Sequence, residues 1–156
     1  MMKNLFQILC GLFLVVSYSS CMHSEEDKVD VLIIGGGASG VTSGIQSARM
    51  GANTLILEES TWLGGMLTSA GVSAVDGNYR LPAGLWGEFK NRLSDYYGGL
   101  DSLKTGWVSN VLFEPSVGNK ILHEMVAAEN NLKVWKQACL EEVKRTGEDR
   151  KSTRLN

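Results

Sequence analysis

Cysteine is scarce in this chain, with three among 156 residues, and the three lie far apart. Cys10 and Cys21 lie in or shortly after an apolar N-terminal run, so Cys139 is the one cysteine expected in the mature domain. A single cysteine excludes an intramolecular disulfide and with it a small fold held together by disulfides. Because Cys139 has no histidine close to it in the sequence, we expect a buried structural thiol rather than a nucleophile.

An excess of charge of one sign is also missing, since 15 basic and 17 acidic residues leave a net charge of -2. Nucleic-acid binding requires a clustered basic face, so we expect no nucleic-acid partner. The apolar run at residues 5–16 is shorter than the ~20 residues that cross a bilayer, which disfavours a permanent membrane helix. We assign no metal site from the sequence.

What the N-terminus does contain is the pattern of an export signal over residues 1–20. Lys3 supplies a positive charge, residues 5–16 are almost wholly apolar, and residues 17–20 are small or polar. The following residues 21–28 are polar and acidic, which is typical of a solvated tether before a folded domain. The sequence therefore predicts an exported protein with a signal peptide and a short acidic tether.

Cys21 stands where a bacterial lipoprotein signal places the cysteine that becomes lipidated. The small residues Ser19 and Ser20 before it fit that pattern, whereas Tyr18 occupies a position that is usually aliphatic. We therefore expect a lipoprotein of the periplasm or outer membrane, attached to the membrane through lipid on Cys21, with ordinary signal cleavage and secretion as the alternative.

The last eight residues, 149–156, differ abruptly in character from the segment before them. They resemble the translation of a sequencing-library adaptor, so we expect a non-native tail that carries no function. The alternative is a disordered basic tail.

The chemistry-bearing segment begins with a short apolar run at residues 29–34, which predicts a strand. A glycine turn at residues 35–40 then opens a helix that continues to about Met50, and a second apolar run at residues 54–57 ends at Glu58. Strand, glycine turn, helix, strand and terminal acid at this spacing predict a βαβ unit that binds a dinucleotide. A flexible glycine linker is the alternative, and the flanking strands argue against it.

Each part of the βαβ unit has a physical task. Gly35 permits the tight turn, Gly37 lets the backbone approach a pyrophosphate, and Gly40 lets the helix pack closely on the sheet. The helix N-terminus favours an anion, while Glu58 can accept hydrogen bonds from ribose hydroxyls and disfavours a 2′-phosphate. The residues predicted to contact the pyrophosphate are Gly35, Gly36, Gly37, Ala38, Ser39 and Gly40.

A second glycine pair follows the acid, at Gly64 and Gly65, with Met66 after it. This segment resembles the Gly-Gly loop that fumarate-reductase-like flavoproteins lay against their cofactor. The wider glycine pattern is similar to that of FAD-binding proteins of the two-dinucleotide-binding-domain type. Its members here are Gly35, Gly37, Gly40, Gly44 and Gly51. Residues 29 to about 143 as a whole are similar to the FAD-dependent oxidoreductase family found among exported bacterial proteins.

The resemblance implies an α/β fold, namely a Rossmann-like FAD/NAD(P)-binding domain with a parallel sheet. Residues 29–148 are expected to form the N-terminal part of this domain, and the domain is expected to be incomplete at its C-terminus. It implies FAD as cofactor, contacted also by Gly64, Gly65 and Met66, and hydride transfer between flavin and an organic substrate whose identity is unknown. Catalytic residues are expected in later segments, so none is assigned and the fragment alone is expected to be inactive. The alternative is a non-catalytic flavin- or nucleotide-binding lipoprotein, either an electron carrier or an interaction module.

The remaining segments are expected to support this site. Residues 71–84 read as loop or short strands, and an apolar stripe over residues 85–97 and another helix over residues 116–130 predict packing surfaces. His123, on the second of these helices, is expected to pack rather than to act as a base. Strands are expected at residues 132–135 and 138–143, and the resemblance implies that the second strand passes the adenine, with a backbone contact from Leu140.

Overall fold

The computed structural model describes residues 28–107 and 109–144, together with the backbone of a short strand at Arg154–Leu155. The predicted signal peptide, the lipidation site Cys21, nearly all of the acidic tether and most of the predicted non-native tail lie outside these residues. Among the described residues, no helix is long and apolar enough to cross a membrane.

A parallel sheet of three strands forms the centre of the described part of the chain. The strands are β1 (Val31–Ile34), β2 (Thr54–Glu58) and β3 (Leu132–Lys136), in the order β1-β2-β3. Residues 54–57 of β2 are fully buried, as expected for a continuous apolar run between two parallel neighbours. The predicted parallel sheet and α/β class are confirmed.

Three longer helices lie in the described part of the chain: α1 (Ala38–Arg49), α2 (Gly84–Tyr97) and α3 (Pro115–Ala127). Helices α1 and α3 contact the sheet, and α2 packs against α3. Helix α1 connects β1 to β2 and approaches the sheet closely, since a Cβ at Gly44 would lie 2.6 Å from Cδ1 of Ile56. Helix α3 begins with a proline in its first turn, a position where the missing N–H costs nothing. Short 3-10 helices lie at Gly65–Leu67 and Leu100–Leu103.

The main hydrophobic core lies between the sheet and the three helices. The apolar face predicted for α3 is confirmed, because all five of its residues are buried: Val117, Ile121, Leu122, Met125 and Val126. Phe89 and Leu93 of α2 lie in the same core. The rings of Phe89 and Phe113 pack edge to face, with their centroids 5.5 Å apart. Tyr96, predicted to belong to the packing stripe of α2, is 53% exposed.

The segment after β3 differs from its prediction in two respects. The strand expected over residues 138–143 is shorter, β4 (Leu140–Glu142), and pairs antiparallel with β5 (Arg154–Leu155) in a separate two-stranded sheet. The prediction of a buried Cys139 is wrong, because this residue lies between β3 and β4 and is exposed. Two residues before Cys139, directly after the end of β3, Gln137 has a positive φ of 56° and changes the direction of the chain.

Candidate cofactor site

The first glycine turn, residues 35–40, joins the end of β1 to the start of α1. Gly35 has a φ of +93°, which side-chain-bearing residues rarely adopt, and its N–H donates to the carbonyl of Leu57 at 2.8 Å. A Cβ at Gly40 would overlap the carbonyl oxygen of Gly35, so the helix can start this close to the turn only with glycine there. The geometry therefore agrees with the tasks predicted for Gly35 and Gly40.

Gly37 is the N-cap of α1 and leaves the helix terminus accessible. The cap makes no side-chain hydrogen bond and the first turn carries no acidic residue, so its positive end is not neutralised from within the helix. A Cβ built on Gly37 would meet nothing within 4 Å. The space beside Gly37 is thus free for a bound anion, with Ala38 and Ser39 in the first helical turn.

Glu58 ends β2 and holds the first glycine turn through its carboxylate. Oε2 accepts the N–H of Gly36 at 2.6 Å, and Oε1 accepts the N–H of Ser60 at 2.8 Å. Partial burial pushes the pKa of Glu58 upward, but hydrogen bonds from Ser60 and Gly36 outweigh it, and the net pKa is lowered. The carboxylate is therefore charged at neutral pH and has lone pairs left to accept hydroxyl groups.

The second glycine turn, Gly64 and Gly65, lies directly against the first. The N–H of Gly64 donates to the carbonyl of Gly36 at 2.8 Å, and Gly37 and Gly64 form an isolated parallel bridge. A Cβ on Gly65 would lie 3.1 Å from Cα of Gly37. The structure therefore brings together two glycine segments that were predicted separately.

A half-open cleft of about 240 Å³ lies beside the carboxyl ends of β1 and β2. Its lining residues are Ile34, Gly35, Leu57, Glu58, Glu59, Ala138, Cys139 and Leu140. Pockets for drug-sized ligands have volumes of roughly 300–1,000 Å³, so this smaller cleft accommodates only a portion of a dinucleotide. Because Glu58 is the predicted ribose ligand, the cleft fits the adenosine portion best.

The predicted site residues thus occupy two connected places. Gly35, Glu58 and Leu140 line the cleft. The second glycine turn contacts the first turn at Gly36, the residue after Gly35. Met66 follows the second turn and is 67% exposed. The structure shows that these residues lie close together, and their contacts with a cofactor stay predictions.

His123 does not line this cleft. It is partly buried on α3, and burial, followed by the charge of Lys136, lowers its pKa. A neutral, packed imidazole agrees with the role expected from the sequence.

Sequence reasoning missed several residues of the site, among them Ser60 and Cys139. Ser60 donates to Glu58, and its position two residues after the acid at the end of a strand is a local turn signal that could have identified it. Cys139 lies 81 residues beyond Glu58 and joins the cleft only through the folding of the segment after β3. No local pattern indicates such a contact.

The residues present fit an FAD molecule: the open backbone at Gly37 and the α1 N-terminus suit its pyrophosphate, and the Glu58 carboxylate suits a ribose. The family profile described as FAD dependent oxidoreductase matches residues 30–156. The chain belongs to this family. The membership confirms FAD as the predicted cofactor and a redox function of the flavoprotein type.

Several solved structures of low sequence identity are similar to this family member. Pseudomonas aeruginosa PqsL, solved with 2-aminobenzoylacetate, has a TM-score of 0.50 at 19% identity, covering 82% of this chain and 39% of PqsL. AlpK has a TM-score of 0.50 at 15% identity, covering 77% of this chain and 26% of AlpK. These likenesses show a shared fold.

Thermovibrio ammonificans THI4 matches with a TM-score of 0.44 at 16% identity, covering 96% of this chain and 53% of THI4. This FAD-dependent oxidoreductase family member therefore spans about half or less of the solved chains named here. The comparison with curated protein sequences gave no match.

Proposed function

We propose that this chain is the N-terminal, FAD-binding part of an exported flavoenzyme that transfers a hydride between an organic substrate and flavin. The observation that carries the proposal is the unobstructed backbone at Gly37, at the start of α1 and in contact with the second glycine turn. The chain's span of 39% of PqsL and 26% of AlpK supports a larger intact protein that supplies the substrate site.

In this proposal the protein's own residues bind and orient the cofactor. The α1 N-terminus and the first glycine turn hold the pyrophosphate, and Glu58 accepts hydroxyls of the adenosine ribose. When bound, FAD supplies the hydride acceptor or donor, and the polypeptide tunes and positions it. No catalytic residue is assigned within the described residues.

Export and lipid attachment form part of the same proposal. Support comes from the sequence of residues 1–20 and from the small residues before Cys21. A Cys21→Ser variant expressed in a bacterial host should move from the membrane fraction to the soluble periplasmic fraction. A wild-type protein that stays in the cytoplasm would contradict export.

Gly37→Ala tests the cofactor site without disturbing the fold. Gly37 has a φ of -63° and open space around a built Cβ, so alanine is tolerated in the free protein and lowers the entropy of the unfolded chain. We expect unchanged or slightly higher stability but at least about tenfold weaker FAD binding, because the methyl group occupies the place of the pyrophosphate. Titration of the full chain with FAD, followed by flavin fluorescence, measures the Kd. Ser43→Ala, at an exposed position of α1, is the matched control.

The rate at which Cys139 is alkylated tests where FAD binds, without relying on a measured Kd. Cys139 is exposed and lines the cleft, so bound FAD should slow its reaction with a thiol reagent. Mass spectrometry of the peptides separates it from Cys10 and Cys21. A chain that takes up no FAD, or a Gly37→Ala variant that binds FAD as tightly as wild type, overturns the proposal.

Turnover separates the enzyme from the non-catalytic carrier. In the intact protein, an organic substrate that bleaches the bound flavin supports the flavoenzyme. Flavin that is reduced by a chemical reductant but by no member of a broad substrate panel supports the carrier.

A further inference from the structure

Both backbone polar groups of Leu63, the residue before the second glycine turn, bond to side chains. Its N–H donates to Oδ1 of Asn119 at 2.9 Å, and its carbonyl accepts the hydroxyl of Thr68 at 2.5 Å. Leu63 and Thr68 are 0% and 1% exposed, so water competes little for the bond between them. Two side chains therefore determine where the backbone of Leu63 lies.

The position of Leu63 in turn determines that of Gly64. Gly64 has a φ of +106° and donates to the carbonyl of Gly36 in the first glycine turn. Leu122 and Thr68 pack closely against Gly64, because a Cβ built on Gly64 would lie 2.6 Å from Cδ1 of Leu122 and 2.7 Å from Cγ2 of Thr68. A displacement of Leu63 thus changes the spacing between the two glycine turns.

Helix α3 provides the rigid support for this arrangement. Asn119 lies on α3, next to Gly118, where a Cβ would lie 2.6 Å from Cε2 of Phe113 and 3.3 Å from Cγ2 of Thr68. The inner face of the helix is buried in the main core. Asn119 therefore connects a short loop to an element that packing holds in place.

We propose that Asn119 and Thr68 are positioning residues for FAD: by holding Leu63 from both sides, they set the second glycine turn against the first. The inference rests on the proposed function, in which FAD binds at the two glycine turns. It assigns α3 a task in cofactor binding, although α3 contributes no residue to the cleft beside β1 and β2.

Two pairs of variants test the two hydrogen bonds. Asn119→Leu removes the acceptor at similar volume, whereas Asn119→Asp retains an acceptor oxygen. Thr68→Val removes the hydroxyl at similar shape, whereas Thr68→Ser retains it. Lys120→Met, at an exposed neighbour on α3, is the control for general changes to the helix.

Three quantities are measured on the full chain: the Kd for FAD, the visible spectrum of the bound flavin, and hydrogen exchange of the Leu63 and Gly64 amides without FAD. We expect the Leu and Val variants to raise the Kd about tenfold, because each loses a bond to a shielded backbone group. Their flavin bands should shift and their amides exchange faster. The Asp and Ser variants should stay close to wild type in all three measurements.

The outcomes separate this inference from the proposed function. If wild type takes up no FAD, both fall. If wild type binds FAD and the Leu and Val variants keep its Kd and spectrum, the positioning role is overturned while the proposed function stands. An equal loss in all four variants also overturns the role, since retained hydrogen bonds would then give no rescue. If Asn119→Leu does not fold, the Thr68 pair decides between these results.

Discussion

At the scale of single residues, the glycines of the site differ in what requires them. Gly40 is needed for the fold itself, because any side chain would overlap the carbonyl of Gly35. Gly37 has no such neighbour and is compatible with alanine in the free protein. The same motif therefore contains a position that packing restricts to glycine and a position that it does not, and we expect only the second kind to be altered without loss of folding.

Glu58 is the acidic residue on which the first glycine turn depends. In Glu58→Gln, one side-chain oxygen is replaced by an NH₂ donor, so the N–H of either Gly36 or Ser60 loses its acceptor. We expect the free energy of unfolding at pH 7 to fall by about 1–2 kcal/mol. Urea unfolding of the full chain measures it, and Glu59→Gln, at an exposed neighbour, should change it by less than about 0.5 kcal/mol.

The pH dependence of that difference follows from the lowered pKa of Glu58. A lowered pKa in the folded state means that the carboxylate stabilises the fold above the ordinary value of 4.5. This stabilisation is lost as the pH falls from about 4.5 through the folded-state pKa. The gap between wild type and Glu58→Gln should therefore narrow in acid, and a gap independent of pH would contradict the role given to the charge.

At the scale of elements, helix α2 holds the loop that precedes it through one buried lysine. Nζ of Lys90 donates to the carbonyls of Tyr79 and Leu81, each at 2.9 Å, and lies 5.9 Å from the centroid of the Trp86 ring. Lys90 is only 8% exposed. The ammonium group therefore serves as an internal anchor for residues 79–81.

Lys90→Met should release this loop while the side-chain stem still packs. Loss of two hydrogen bonds from a charged donor favours local opening, and we expect trypsin to cleave after Arg80 about tenfold faster. Peptide mapping over time measures the rate at this bond in the full chain. Lys120→Met removes a lysine from an exposed position on α3 and should leave that rate unchanged. Equal cleavage in both variants would refute the anchor.

At the scale of the whole molecule, Arg49 connects three parts of the chain. At the end of α1, its guanidinium lies 2.9 Å from Glu88 of α2 and 2.7 Å from Glu129, which follows α3. The hydrogen bonds that Arg49 donates, first to Glu88 and then to Glu129, raise its pKa. The arginine side chain is 36% exposed, so solvent screens part of this attraction.

Arg49→Met should lower the free energy of unfolding by about 1 kcal/mol at low salt, and by less at high salt because ions screen the pairs. Urea unfolding at two salt concentrations measures this. Arg92→Met removes a contact to the same Glu88 from within α2, four residues away, and should cost only about 0.3–0.5 kcal/mol. If both variants cost the same, Arg49 does not contribute by joining separate elements.

Part of this architecture follows from the sequence alone. The βαβ unit, the α/β class and the apolar face of α3 follow from residues close together in the chain, and a family resemblance carried by the glycine motifs indicates FAD. Hydrophobic periodicity and glycine spacing record local backbone geometry, so they can be read without a fold. Gly35 and Gly40 are examples, since the turn that needs them spans six residues.

The tertiary structure decided the contacts between distant segments. The placement of Gly64 on Gly36, the bond from Leu63 to Asn119 56 residues away, and the exposure of Cys139 at the cleft have no local signal. Each depends on how the loops after β2 and β3 pack once the helices cover the sheet. Sequence pattern therefore determined which cofactor class this protein binds, whereas packing determined which side chains hold the two glycine turns together.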